Sequence, residues 1–324
     1  MKDPFGRQIN YLRISVTDRC DLRCRYCMPE QGIAVKSHDE ILSYEEILTF
    51  VEMSTNFGIN KVRLTGGEPL VRKGIVDFVA RINQIPGIKE IGLTTNARKL
   101  APNAKALKEA GLKSINISLD TLDPEKYRYI TRWGDLNDVL HGIDQALKVG
   151  FDKVKINAVL MKGFNDHEIL DLVNLAKDKP VDVRFIELMG IGQANELASE
   201  YLSTTEIMTH IPGLRKASDD NLINAGPADY YPLEGYQGRI GFISALSNCF
   251  CGTCNRLRLT SDGKLMPCLH SKIEVNVRPY LKEKDLDGLR DAIHGAIELK
   301  PSGHKLSNGK QVSDDGRYMS QIGG

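Results

Sequence analysis

The chain has 324 residues, and 43 lysines and arginines face 42 aspartates and glutamates for a formal charge of +1. That balance excludes bulk attraction to nucleic acid or to an anionic membrane as the basis of function, and no apolar run approaches the ~18 residues of a membrane-spanning helix. The opening MKDPFGRQIN lacks the apolar core of a secretory signal, so the expected location is cytoplasmic, where cysteines serve as metal ligands or catalysts more often than as disulfides.

In chain order, LRISVTD (12–18) reads as a strand that leads into a cysteine-bearing loop. A helix is predicted from about Tyr44 to Phe57, with Ser43 and Glu46 spaced as a capping box and Gly58 at its end. KVRLTGG (61–67) precedes a helix through IVDFVARIN, and EIGLTTN (90–96) precedes an Ala/Lys/Leu-rich helix that ends at Gly111. SINISLD (114–120) is followed by helical turns up to Gly150. VKINAVLM (154–161) precedes a helix through ILDLVNLAK, and DVRFIEL (182–188) closes the series.

Six strand-then-helix units in succession imply an α/β fold with a parallel sheet and right-handed crossovers. Six fall short of the eight of a closed barrel, so the expected fold is a partial (six-unit) βα TIM-like barrel. From about Ser199 the chain changes character. The short alternating runs ADYYPLEG, GRIGFIS and RLRLT and a helix at about 284–297 form a mainly β C-terminal extension, expected to close the barrel mouth. The domain division is therefore placed at 1–198 and 199–324. The polar, Gly-rich stretch SNGKQVSDDGRYMSQIGG follows; on composition alone it reads as disorder.

Within four of the six strands, one face is apolar and the other polar. Leu12, Ile14 and Val16 alternate with Arg13, Ser15 and Thr17, and Val62 and Leu64 alternate with Arg63 and Thr65. Ile115 and Ile117 alternate with Asn116 and Ser118, and Val154 and Ile156 with Lys155 and Asn157. The apolar face must pack under helices, which turns Arg13, Arg63, Lys155, Thr94, Asn96, Asn116 and Ser118 into the lumen. Buried cations without partners are costly. They either face a bound polyanion, for which guanidinium forks suit phosphate oxygens, or pair with acidic neighbours such as Asp120 or Glu187. Arg184 is ambiguous because DVRFIEL does not alternate cleanly. Paired glycines in Thr65-Gly66-Gly67-Glu68-Pro69, at a strand's C-terminal end, let backbone approach a ligand. No G-x4-G-K-[ST] loop is present, so a nucleotide would be held by side chains.

The seven cysteines fall into two groups far apart in sequence. Cys20, Cys24 and Cys27 are spaced C-x3-C-x2-C, and Cys249, Cys251, Cys254 and Cys268 lie far downstream. Structural zinc takes a closed set of four ligands. The downstream group could reach four with His270 or Cys249; the first trio has no fourth cysteine, and its nearest histidine, His38, lies beyond a Gly-containing loop. Three thiolates suit a [4Fe–4S] cube whose fourth iron stays open to a ligand that comes and goes.

The first trio, with Tyr26 just before its last cysteine, resembles the signature of the radical S-adenosylmethionine (SAM) superfamily. LTGGEP, the downstream Asn-Arg-Leu-Arg run and the Gly323-Gly324 pair narrow the resemblance to the GTP 3′,8-cyclase family, over essentially the whole chain from Arg13 onward. The resemblance implies a lyase of molybdenum cofactor biosynthesis. Such an enzyme cyclises GTP to (8S)-3′,8-cyclo-7,8-dihydroguanosine 5′-triphosphate through a 5′-deoxyadenosyl radical. It implies two [4Fe–4S] clusters, one on Cys20, Cys24 and Cys27 and one on Cys251, Cys254 and Cys268, with Cys249 spare. SAM contacts would fall on Tyr26, Gly67, Ser118 and Met189. GTP contacts would fall on Arg13, Arg63, Thr94, Lys155, Arg256, Leu257 and Arg258. Arg256, Arg258, Gly323 and Gly324 count among the catalytic positions, the glycine pair threading into the active site. Implied partners are an electron donor and the cyclic pyranopterin monophosphate synthase that takes the product; a homodimer is allowed, and neither nucleic acid nor membrane is expected. The rival readings are another radical SAM enzyme with an auxiliary cluster, acting on a peptide, and a zinc-stapled binding module.

Overall fold

A computed structural model gives the architecture and describes residues 1–34, 36–215, 226–304 and 317–323. The six alternating runs form β1 (Tyr11–Ser15), β2 (Lys61–Thr65), β3 (Glu90–Thr95), β4 (Ser114–Ser118), β5 (Lys153–Leu160) and β6 (Val181–Glu187). Between them run α1 (Tyr44–Thr55), α2 (Ile75–Asn83), α3 (Leu100–Glu109), α4 (Pro124–Thr131), α5 (Leu136–Val149) and α6 (Ile169–Asp178). Local chemistry sets several of the boundaries. The Ser43 hydroxyl accepts from Glu46 N at 3.1 Å while Glu46 accepts from Ser43 N at 2.7 Å, completing the capping box of α1. Asp123 caps α4, whose first residue is Pro124, and α5 ends on Gly150 in the left-handed region at φ 78°.

Downstream come α7 (Thr204–Thr209), β7 (Asp229–Pro232), β8 (Arg239–Ile243), β9 (Arg256–Leu259), β10 (Lys264–Met266) and β11 (Val275–Asn276). They are followed by α8 (Arg278–Glu283), α9 (Leu286–Glu298) and the single turn α10 (Met319–Ile322). The strand order is β11-β10-β9-β1-β2-β3-β4-β5-β6-β8-β7. Thus the C-terminal strands do not form a separate layer. β9 pairs parallel with β1 and β8 pairs parallel with β6, which extends the parallel ladder at both edges, and β7 and β10 add antiparallel margins. The physical reason is edge satisfaction: β1 and β6 would otherwise present unpaired N–H and C=O groups.

The apolar face packs under the helices. Leu12, Ile14, Val62, Leu64, Ile91, Leu93, Ile115, Ile117 and Ile156 are all buried, against Phe50, Phe78 and Leu107 from the helices. Each such side chain contributes roughly 1.5–3 kcal/mol by leaving water. Among the described residues, no helix is long and apolar enough to cross a membrane. All seven cysteines are free thiols.

Candidate active site

The opposite face of the sheet lines a cavity of about 340 Å³. Register makes its floor cationic. Arg13 on β1 stands directly opposite Arg63 on β2 and Arg258 on β9, so three guanidinium-bearing residues occupy one cross-strand row. Strands lie ~4.8 Å apart, and like charges directly opposite destabilise a sheet. Two strands further along, Asn116 stands opposite Lys155, and Asn157 opposite Arg184. All of these residues line the cavity.

Of the two alternatives for the lumen cations, pairing with Asp120 or Glu187 is not the one that Arg63, Lys155 and Arg184 take among the described residues. Arg63 instead donates from Nε to the Tyr11 hydroxyl at 2.6 Å, from Nη1 to the Leu93 carbonyl at 3.0 Å and from Nη2 to the Ser114 hydroxyl at 2.9 Å. Lys155 Nζ donates to the Tyr230 hydroxyl at 3.0 Å, and Arg184 donates from Nε and Nη2 to Asn157 Oδ1 at 2.8 and 2.5 Å. Asp120 accepts from Tyr26 and from Val159 N, and Glu187 is taken up by Thr204, Leu246 and Ser247. The excess of positive charge shows in the titration of these groups. Burial, then Arg184, lowers Lys155 to about 7, and burial with neighbouring arginines lowers Arg13 to about 10 and Arg258 well below its ordinary value. Burial alone would raise the Tyr11 phenol, yet Arg63, Arg13 and Lys61 outweigh it and bring it down to about 7.

Two strand glycines make room for this cluster. A Cβ on Gly92, opposite Arg63 in register, would lie 2.5 Å from Arg63 Nη2; one on Gly241, opposite Arg184, would lie 2.9 Å from Arg184 Cγ. Thr94 Oγ1 and Asn116 Oδ1 are buried in the same cavity without a hydrogen-bond partner among the described residues. Unsatisfied acceptors and donors beside surplus cations are the signature of a polar ligand's seat.

Cys20, Cys24 and Cys27 line the same cavity on the loop after β1. Arg23 N donates to the Thr131 carbonyl at 3.3 Å, Arg25 N to Ile130 O at 2.9 Å, and Trp133 Nε1 to Asp21 O at 2.8 Å, pinning the loop to the end of α4. The Tyr26 hydroxyl donates to Asp120 at 2.7 Å, and burial raises that carboxyl to about 6. Burial and mutual repulsion push Cys20 and Cys24 up, and burial pushes Cys27 up to about 11. Three thiolates can coexist there only around a cationic group, so the donor set fits an iron–sulfur cluster. The glycine pair is explained by this loop: a Cβ on Gly67 would lie 2.3 Å from Arg19 O, and one on Gly66 2.5 Å from Thr17 O. Gly67 N donates to Thr17 O and Glu68 N to Arg19 O, both at 2.8 Å. The glycine pair thus makes a close approach to backbone on one side while bordering the cavity. Glu68 is buried, accepts from Leu70 N, Thr95 Oγ1 and Asn96 N, and is raised by burial to about 7.

Cys251, Cys254 and Cys268 line the cavity as well, with Arg256 and Lys300. Burial would raise Cys254, but Arg256 and Lys300 overcome it and lower the thiol to about 6. Cys249, expected as a spare, is exposed but not isolated: its sulfur, that of Cys251 and a ring nitrogen of His304 lie within 4.8 Å of one another. The segment read as disordered on composition docks at its described end. Met319 and Ser320 line the cavity, and Arg317 pairs with Asp262 and Glu274. Gly323 sits at φ 71° where a Cβ would lie 2.3 Å from Thr65 Oγ1, and its carbonyl accepts from Arg258 Nη1 at 2.5 Å. Gly324 lies outside the described residues.

Of the residues anticipated from sequence, Arg13, Tyr26, Arg63, Gly67, Thr94, Ser118, Lys155, Met189, Arg256 and Arg258 all border this cavity. Leu257 does not: alternation along β9 turns its side chain into the apolar core, so only its backbone can serve a ligand. Tyr11 and Lys300 were missed as cavity residues, as was Tyr230 as the partner of Lys155, and Arg184, ambiguous from its strand, lines the cavity. Tyr11 could have been found, because it precedes Arg13 by two and therefore shares its face.

Residues 14–176 match the family described as the Radical SAM superfamily, and residues 181–306 match Molybdenum Cofactor Synthesis C. Full-length relatives named GTP 3′,8-cyclase are 50% identical in Alkaliphilus metalliredigens, 49% in Alkaliphilus oremlandii and 49% in Moorella thermoacetica, each match covering 100% of both chains. Among solved structures, Streptococcus suis SuiB bound to its precursor peptide SuiA superposes with a TM-score of 0.63 at 16% identity, covering 90% of this chain and 67% of that one. At that identity the likeness concerns the fold.

Proposed function

This chain belongs to the GTP 3′,8-cyclase family of the radical SAM superfamily, and from that premise we propose how its cavity carries out the cyclisation of GTP, the first step of molybdenum cofactor biosynthesis. The observation that carries the proposal is the cross-strand row of Arg258, Arg13 and Arg63, three guanidinium-bearing residues in register that line the same cavity as two cysteine groups.

Cys20, Cys24 and Cys27 would hold one [4Fe–4S] cluster, and Cys251, Cys254 and Cys268 a second. When bound, the first cluster and SAM would supply the radical chemistry for joining C3′ of GTP to C8 of its guanine. The protein's part is binding, orientation and exclusion of water. Gly67, Ser118, Met189 and Tyr26 border the space for SAM, and Asp120 fixes the Tyr26 ring by accepting its hydroxyl proton's hydrogen bond. Arg13, Arg63 and Arg258 present guanidinium forks to the triphosphate, and Lys155 adds a charge as it takes up a proton. Thr94 Oγ1 and Asn116 Oδ1 gain partners from the bound ligand. The carbonyl of Gly323 holds the Arg258 guanidinium in place, and Met319 and Ser320 close that side against solvent.

In this scheme the six βα units form a partial barrel, residues 1–198, whose mouth is closed by residues 199–324. The enzyme works in the cytoplasm with an external electron donor and passes its product to the cyclic pyranopterin monophosphate synthase. The test is anaerobic incubation of the cluster-loaded enzyme with SAM, GTP and a strong reductant, followed by chromatography and mass analysis of the nucleotide. Accumulation of an isomer of GTP with a C3′–C8 bond supports the proposal. Unchanged GTP, with both clusters intact by iron content, refutes it.

A further inference from the structure

One group of metal-binding side chains overlaps the proposed second cluster at Cys251 but is not used up by it. Cys249 Sγ, Cys251 Sγ and a His304 ring nitrogen lie within 4.8 Å of one another. The loop that brings the two sulfurs together is pinned between them, where the Arg256 guanidinium stacks over the Phe250 ring at 4.7 Å. His304 Nε2 lies 2.8 Å from the Ala245 carbonyl oxygen. A carbonyl can only accept, so Nε2 carries the proton and the ring's lone pair resides on Nδ1. A backbone carbonyl on the far nitrogen is the usual way a metal-ligating histidine is oriented. A second imidazole is at hand: the His270 ring lies beside that of His304, 4.9 Å between centroids, and its Nδ1 is buried without a hydrogen-bond partner among the described residues. Two thiols and two imidazoles without a carboxylate suit a thiophilic cation of zinc's class and not magnesium or calcium.

We propose that Cys249, Cys251 and His304, with His270 as the fourth donor, form a site for one thiophilic divalent cation, Zn²⁺ or Fe²⁺, in the cluster-free chain. The site and the second cluster are mutually exclusive because both require Cys251; this exclusion rests on the cluster assignment proposed above. The pair of thiols then holds Cys251 as a metal thiolate before cluster insertion, and zinc becomes a competitor of cluster loading. Cation binding displaces the two thiol protons to solvent and involves no change of oxidation state.

Co²⁺ is the probe, because tetrahedral thiolate ligation gives it a visible spectrum. The full-length chain is stripped of iron anaerobically, its thiols reduced, and titrated with Co²⁺. We expect one equivalent with thiolate charge-transfer and tetrahedral ligand-field bands whose affinity falls at least about tenfold in Cys249→Ser and in His304→Ala, and which Cys254→Ser leaves intact. The iron-loaded chain should not develop these bands. Zn²⁺ added before reconstitution should lower iron incorporation in the wild type and not in Cys249→Ser. The proposal is overturned if Cys249→Ser binds Co²⁺ like the wild type while Cys254→Ser does not, since the cation then occupies the three-cysteine set. It is equally overturned if the iron-loaded chain gives the same cobalt spectrum as the cluster-free one. Iron content of the loaded chain, counted separately, distinguishes a failed cluster assignment from a failed cation site.

Discussion

Lys155 offers the sharpest quantitative handle on the cavity. Burial, then Arg184, lowers its ammonium from an ordinary 10.5 to about 7, so the nucleotide-free enzyme holds this proton only half the time at neutral pH. On the proposed placement of the nucleotide, a triphosphate beside it would restore the charge, and binding would draw a proton from buffer. For a group titrating at about 7 the uptake is about half a proton at pH 7 and about nine-tenths at pH 8, and GTP affinity falls roughly fivefold over that interval. The sign for stability follows from the same shift. Above about pH 7 the unfolded chain keeps a Lys155 proton that the folded chain has lost, so the nucleotide-free fold gains stability as pH rises, by about 2 kcal/mol between about pH 6.5 and 8.5. Calorimetry of GTP binding to the cluster-loaded enzyme without reductant, in buffers of different ionisation enthalpy, measures the uptake directly. Lys155→Met removes the group with little change of volume, and only the difference between the two proteins is attributed to it, since Tyr11 also titrates near neutrality. Equal proton uptake by both proteins would refute the reasoning.

Three further outcomes follow from the packing. Gly92→Ala places a methyl against the Arg63 guanidinium, whose three hydrogen bonds leave it nowhere to swing; the fold should lose about 1–3 kcal/mol, and GTP affinity should drop at least about tenfold by calorimetry. Gly67→Ala pushes against the backbone of Asp18 and Arg19, which has no side-chain freedom to yield. With the two clusters proposed above, iron per chain should fall from about eight towards about four, while a variant that loads normally would show that the loop can move. Tyr11→Phe should abolish a phenolate absorbance that appears at about pH 7 in the nucleotide-free enzyme, and GTP should shift that transition upward in the wild type.

How far the sequence discloses this site depends on whether a property is local. Alternation along 12–18, 61–67 and 154–161 puts Arg13, Arg63 and Lys155 on one face, and the register confirms a shared cavity. The position of β8 and β9 beside β6 and β1 depends on pairing between residues far apart in sequence, which alternation does not report. Leu257 shows the limit of reading a segment as a unit, because alternation along the strand turns its side chain into the core and leaves only its backbone to the cavity side. Tyr11 and Tyr230 hide because a tyrosine in a strand is equally at home in a core. The glycines of β3 and β8 were legible in principle, since glycine inside a strand marks a close approach, and each makes room for an arginine that the sheet brings opposite. Gly66 and Gly67 border the cavity, and the structure adds a second reason for the pair, since Thr17 and Arg19 occupy the space a Cβ would take.

The central claim, that this cavity generates a radical next to GTP and joins C3′ to C8, is tested most directly with GTP deuterated at C3′. Under anaerobic reduction with SAM, the account predicts 5′-deoxyadenosine carrying one deuterium, formed in step with a cyclised isomer of GTP that has lost it. Unlabelled 5′-deoxyadenosine from an enzyme with both clusters in place would contradict it.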